Sequence, residues 1–150
     1  MGRQDLRWVD PCDWHVTLSF LGSVPDDDVD GVLEALRGAA DSAVSTTATL
    51  GPSTTRLGRS VLCVPVEGLG PLADAIRLAV TPFDHSPDRD APYVGHLTLA
   101  RARRGGSIPE KLVGRQVAGA WSVSEFCLVA STTDQQGPHY SPLAHLGLRR

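Results

Sequence analysis

The chain has 150 residues, 41% hydrophobic and 21% charged, which is enough to bury a modest core and unlike a disordered composition. Its formal charge of -3, from 14 basic and 17 acidic side chains, argues against a broad duplex-binding face. It leaves room for a local patch that holds one terminal phosphate.

The three cysteines, Cys12, Cys63 and Cys127, form neither a CxxC pair nor a disulfide framework, which fits a reducing cytoplasm. The opening MGRQDLRWVDP lacks a signal-peptide core. No apolar run reaches the roughly 18 residues of a membrane span, so a cytoplasmic location without a membrane partner is expected.

From Trp14 to Phe20, alternation predicts a strand with Trp14, Val16, Leu18 and Phe20 on one face and His15, Thr17 and Ser19 on the other. After Gly22 and Pro25, the acidic run Asp26 to Asp28 precedes Val29, Val32, Leu33 and Leu36 at helical spacing. Ala43 to Leu50 is expected as a strand, and 51–58 as an irregular loop. Ser60 to Val66 is another strand, with Pro65 implying an edge or an early end. Leu72, Ala75, Ile76 and Ala79 stripe a short helix.

The polar, proline-containing TPFDHSPDRDAP (81–92) predicts a long loop of the kind that is often functional or mobile. Tyr93 to Arg101 returns to strand. SIPE at Ser107 to Glu110 has capping-box spacing ahead of Leu112, Val113 and Val117, and so predicts a helix. Trp121 to Ser131 reads as a strand, followed by a turn-rich tail with a short strand near Leu143 to Leu148. The order implies an α+β fold, or α/β in a broad sense. GPSTTRLGR is not a Walker loop, and the glycines of VEGLGPL make no GxGxxG.

One pattern occurs twice: HVTL at His15 to Leu18 and HLTL at His96 to Leu99. Residues i and i+2 of a strand share a face, so each copy presents an imidazole and a hydroxyl together while burying its alternate residues. Two imidazoles and two hydroxyls suit a phosphoryl group. One neutral histidine takes a proton from water, one protonated histidine gives a proton to the leaving oxygen, and the hydroxyls donate to nonbridging oxygens. Such a scheme needs no metal or other cofactor. Two strand-like copies outweigh one, although a tetrapeptide also recurs by composition.

Zinc is the weaker reading. The histidines (15, 85, 96, 139 and 145) form neither HxH nor HxxxH, and no close cysteine pair is present, which leaves only a site assembled from distant residues. A cysteine nucleophile is a further alternative. Cys12 lies three residues before His15, while Cys63 and Cys127 sit in apolar strand patterns that suit small buried side chains.

The stretches RWVDPCDWHVTLSFLGSVP and VGHLTLARAR resemble the 2H phosphoesterase superfamily, and within it the bacterial RNA 2',3'-cyclic phosphodiesterases also called 2'-5' RNA ligases. VLCVPVEGLGPLADAI and SEFCLVASTTDQQGPHYSPLAHLGL are similar to the family's middle and closing segments, so the resemblance covers most of residues 7–148.

The resemblance implies a single α+β domain, with two pseudo-symmetric antiparallel-sheet lobes flanked by helices and the HxT strands facing a central cleft. It implies catalysis by His15 and His96, with His96 as general base and His15 as general acid, and phosphate contacts from Thr17 and Thr98. The reaction would open a 2',3'-cyclic phosphate on an RNA end to a 2'-phosphate, and some relatives also join RNA ends.

Arg101 stands where the family often has an arginine and is a candidate phosphate contact, with a structural salt bridge as the alternative; strict alternation turns it away from His96 unless a bulge, twist or strand end brings its side chain back. Tyr140 and His139 would line the cleft edge through the tail. The family's first strand and helix are not found before RWVDP, which implies an exposed edge that a second copy would cover as a homodimer. Two other readings stay open: a phosphodiesterase acting on a small cyclic nucleotide or other phosphodiester, and a noncatalytic RNA- or nucleotide-binding module.

Overall fold

The computed structural model describes residues 6–150. The opening residues 1–5, part of the segment read as lacking a signal-peptide core, lie outside the described residues. The elements in order are β1 (Leu6–Trp8), α1 (Val29–Ser42), β2 (Thr46–Leu50), β3 (Thr55–Leu57), β4 (Val61–Glu67), α2 (Gly70–Ala79), β5 (His96–Ala102), β6 (Gly119–Val123), β7 (Glu125–Asp134) and β8 (Gly137–Gly147), joined by short 3-10 turns. The sheets run β1-β5-β4-β2-β6, with β3 also on β4, and β7-β8. The expected α+β class is what is found. No helix among the described residues is long and apolar enough to cross a membrane.

The chain divides into two compact units. The first comprises residues up to Thr17, Ala48–Gly70 and Val94–Trp121. Its core gathers Leu62 of β4, Ala100 of β5 and Ile108, with Leu6, Leu99, Ala102, Leu112 and Val113 packed against them. The antiparallel β4–β5 pair is its spine, running from Val61 opposite Arg101 to Pro65 opposite His96.

The second unit comprises Leu18–Thr47, Pro71–Tyr93 and Ser122–Arg150. Val32, Leu36 and Ala40 of α1 meet Leu72 and Ile76 of α2 there, with Val80 and with Phe126 and Leu146 of the β7–β8 hairpin. Of the apolar stripe read at helical spacing, Val32 and Leu36 are buried, with Ala39 and Ala40 continuing the buried face of α1.

Several elements differ from the sequence expectation. The run 14–20 is not a strand; its one ladder contact is a bridge from Val16 to Leu97. β1 already occupies β5 at Ala100–Ala102, and the 3-10 turn Pro11–Asp13 then carries the chain away before it returns. Part of the expected loop 51–58 is β3, which pairs with β4 from Leu57↔Val61 to Thr55↔Cys63. Pro65 does not end β4, which continues to Glu67. Its carbonyl accepts from Gly51 N–H, so its missing N–H would face the side where β2 has already ended at Leu50.

The helix expected after Ser107 is only a 3-10 turn, Glu110–Leu112, with no side-chain cap. Gly114 turns with positive φ, and the backbone bonds across to another segment: Gly114 N–H to Thr54 O and Val117 N–H to Pro52 O, both 2.9 Å. Thr54 Oγ1 adds a bond to Leu112 O at 2.6 Å.

The expected strand 121–131 is split between β6 and β7, and the turn-rich tail is a long hairpin. Asp134 Oδ1 accepts Gln136 N–H at 2.7 Å, and Gly137 takes positive φ, which closes a two-residue turn. The loop 81–92 is tied down, since Arg77 Nη2 donates to Arg89 O at 2.6 Å and Ala91 O at 2.7 Å.

Candidate active site

Both HxT segments fall in the first unit, on neighbouring stretches of backbone. Val16 bridges Leu97 in antiparallel sense. Continuing that register one residue each way sets His15 level with Thr98 and Thr17 level with His96. Paired residues share a face and successive residues alternate. Val16, Leu97 and the buried Val64 opposite Leu97 therefore turn to one side. His15, Thr17, His96 and Thr98 turn to the other.

The two imidazoles are held alike. His15 Nδ1 lies 2.7 Å from the carbonyl of Asp13, two residues back. His96 Nδ1 lies 2.9 Å from the carbonyl of Val94, also two residues back. A carbonyl only accepts, so in each ring Nδ1 carries the hydrogen and donates, and Nε2 is the nitrogen that gains or loses a proton.

Local structure presents both carbonyls. Asp13 closes the 3-10 turn, with its N–H bonded to Asp10 O at 2.8 Å, while Asp10 Oδ1 accepts Cys12 N–H at 2.9 Å. The entry to β5 is pinned by Val66 N–H on Gly95 O at 2.9 Å.

Arg101 joins this face because β5 carries a bulge. Leu62 opposes Ala100 and Cys63 opposes Thr98, which leaves Leu99 as the extra residue. The regular strand β4 keeps Val61, Cys63 and Pro65 on one side, so their partners Arg101, Thr98 and His96 share that side. Strict alternation gives the wrong face for Arg101, which is itself exposed.

β1 adds a residue that sequence reading passes over. Arg7 lies opposite Arg101 and therefore on the same face, half-buried. Like charges directly opposite repel, and an anion between them relieves that repulsion. The signal was the RWV stretch itself, uninformative until its register on β5 is known.

Tyr140 is an exposed residue of β8 opposite Ser131, in the second unit. His139 beside it is bound to Asp134, Nε2 to Oδ2 at 2.7 Å.

The cysteines are poor nucleophiles. The hydrogen bond to Asp10, and then its charge, hold the Cys12 thiol above its ordinary range. Burial raises that of Cys63, and burial followed by Glu125 raises that of Cys127. Each shift runs opposite to thiolate activation.

A family model described as LigT like Phosphoesterase matches residues 1–56. The crystal structure of TT0787 of Thermus thermophilus superposes with a TM-score of 0.79 and 27% identity, over 97% of this chain and 84% of that one. E. coli LigT complexed with 3'-AMP superposes with a TM-score of 0.71 and 25% identity, over 99% and 84%. The chain is similar to LigT.

The resemblance to the 2H phosphoesterases read from the two HxT stretches thus holds, in sequence at the start of the chain and in fold along nearly all of it. The MHV ns2 PDE domain shares the fold alone, with a TM-score of 0.55 at 17% identity over 93% of this chain and 81% of that one. No curated protein matches the sequence. E. coli LigT has also been solved with phosphate, ATP and NADP+. A LigT-like chain with this face supports a phosphoesterase activity.

Proposed function

We propose that this chain hydrolyses the 2',3'-cyclic phosphate at an RNA end to a 2'-phosphate, by paired histidine acid–base catalysis without a metal. The observation that carries the reading is the matched Nδ1–carbonyl bonds of His15 and His96, which leave Nε2 in both rings as the proton-exchanging atom. In the step itself, His96 Nε2 takes a proton from water as the water oxygen bonds to phosphorus. The P–O3' bond breaks, and the proton on His15 Nε2 passes to O3'. The products are a free 3'-hydroxyl and a phosphate on O2'.

Thr17 and Thr98 donate to the nonbridging oxygens, and Arg101 and Arg7 hold the charge they carry. With a 5'-hydroxyl in place of water as the nucleophile, the same step would join RNA ends through a 2'-5' linkage. The complexes of E. coli LigT with 3'-AMP, ATP and NADP+ favour one second reading, a small nucleotide phosphodiester as substrate at the same face.

The test is product identity. A short RNA ending in 2',3'-cyclic phosphate, incubated with the protein and EDTA, should give only the 2'-phosphate. A 3'-phosphate product, or turnover abolished by EDTA, contradicts the mechanism. Turnover of cyclic nucleotides but not of the oligonucleotide would move the assignment to the small substrate, and binding without turnover would move it to a binding module.

A further inference from the structure

The β7–β8 hairpin of the second unit carries three side chains of ligating chemistry on one exposed face. Cys127 and His145 are direct cross-strand partners, and Glu125 stands two residues before Cys127 on the same strand. Cys127 Sγ lies 3.1 Å from His145 Nδ1, which lies 3.6 Å from Glu125 Oε1. One ligand atom from each residue lies within 4.8 Å of the other two. The intervening residues Phe126 and Leu146 point the other way, into the core of the same unit, and fix the strands beneath the cluster.

We propose that Glu125, Cys127 and His145 bind a divalent zinc-type ion, with the fourth position open to solvent or an exogenous ligand. Zinc sits about 2.3 Å from sulfur and about 2.0–2.2 Å from nitrogen or oxygen, so tetrahedral ligands stand roughly 3.6 Å apart for S and N and roughly 3.4 Å for N and O. The contacts of 3.1 and 3.6 Å thus need only small side-chain movements to accept the ion. A thiolate, an imidazole and a carboxylate together select zinc over magnesium or calcium, which prefer all-oxygen sites.

A thiol binds the ion as its thiolate, so its proton leaves on binding: Cys–SH and Zn2+ give Cys–S–Zn+ and H+. The ligands span the 18-residue separation of Cys127 and His145, which no short-spacing zinc pattern contains. Hairpin register brings them together instead.

The experiment titrates Co2+ into the full chain and follows the thiolate-to-cobalt charge-transfer band, then measures Zn2+ by calorimetry. One ion per chain is expected, with the band present and about one proton released. Cys127→Ser should abolish the band, while His145→Ala and Cys127→Ser should each weaken Zn2+ at least tenfold, with hairpin folding checked by circular dichroism. Glu125→Gln should weaken it less. Cys12→Ser and the double variant His15→Ala/His96→Ala should bind as the parent does. No thiolate band in the parent, or Zn2+ binding unchanged in Cys127→Ser, would overturn the proposal.

Discussion

A histidine used as an acid or base must present one ring nitrogen to the substrate and have the other held. His15 and His96 meet that need through the same local device, a carbonyl two residues back. Around them, Arg101 should matter through charge and not through packing. Arg101→Met is expected to lower kcat/KM about 10- to 100-fold, the worth of a charged hydrogen bond, with the melting temperature unchanged. Arg7→Met should cost less, about 3- to 10-fold, because its partner guanidinium remains. Steady-state kinetics on the cyclic-phosphate oligonucleotide checks both, and full activity in Arg101→Met would remove it from the site. Cys12→Ser should keep activity, since Asp10 holds that thiol protonated. The HxT pairs were legible because i, i+2 spacing survives whether the backbone is strand or bridge. Arg101 was legible as a candidate through the family resemblance alone, because its face depends on a bulge at Leu99 and no residue type announces a bulge. The Cys127–His145 contact was hidden, since it depends on a register that sequence does not state.

At the scale of elements, α1 offers a contrast between two glycines. At Gly38 a Cβ would meet nothing within 4 Å, whereas at Gly31 it would stand 2.9 Å from the Phe83 ring. Gly38→Ala should therefore stabilise by about 0.5–1 kcal/mol, the ordinary helix preference for alanine. Gly31→Ala should forfeit that gain by displacing Phe83 from the core it packs against. Thermal or urea melts of the two variants decide it, and equal gains would contradict the packing described.

The hairpin end has its own pH dependence. The Gln136 N–H first, then His139, hold the Asp134 carboxyl below its ordinary value. A depressed carboxyl contributes above its unfolded pKa and loses that contribution as pH falls through the folded value. Amide exchange at Gln136 and Gly137 should thus quicken relative to the rest of β8 as pH drops below about 4, and Asp134→Asn should remove the effect. These features also show what patterning conveys. Amphipathic α1 and α2 were legible because burial repeats at helical period. The failed helix after Ser107 and the strand through Pro65 depend on distant partners, Thr54 and Gly51, that compete for the same backbone groups.

Across the whole molecule, the proposed reaction sets an acidic chain against an anionic substrate. A formal charge of -3 gives no general attraction for RNA, so binding must rest on the few cations of the site face. With about two phosphate contacts, the slope of log affinity against log salt should be roughly -1 to -2 for a single strand. Salt titration of oligonucleotide binding tests this, and a slope several times steeper would mean a wider basic surface. The α+β class was legible from element order, and the LigT-like likeness from the paired motifs. Two lobes were expected from the resemblance, but the boundaries of the units were not legible, because the contacts that define them join three separate stretches of chain in each.

The most direct test of the paired-histidine account is single-turnover hydrolysis of the cyclic-phosphate oligonucleotide, in EDTA, by His15→Ala and by His96→Ala beside the parent. Each variant should lose about 10²- to 10⁴-fold in rate while melting with the parent. A variant that keeps its rate within about threefold, or one whose loss only tracks loss of folded protein, would contradict acid–base catalysis by the pair.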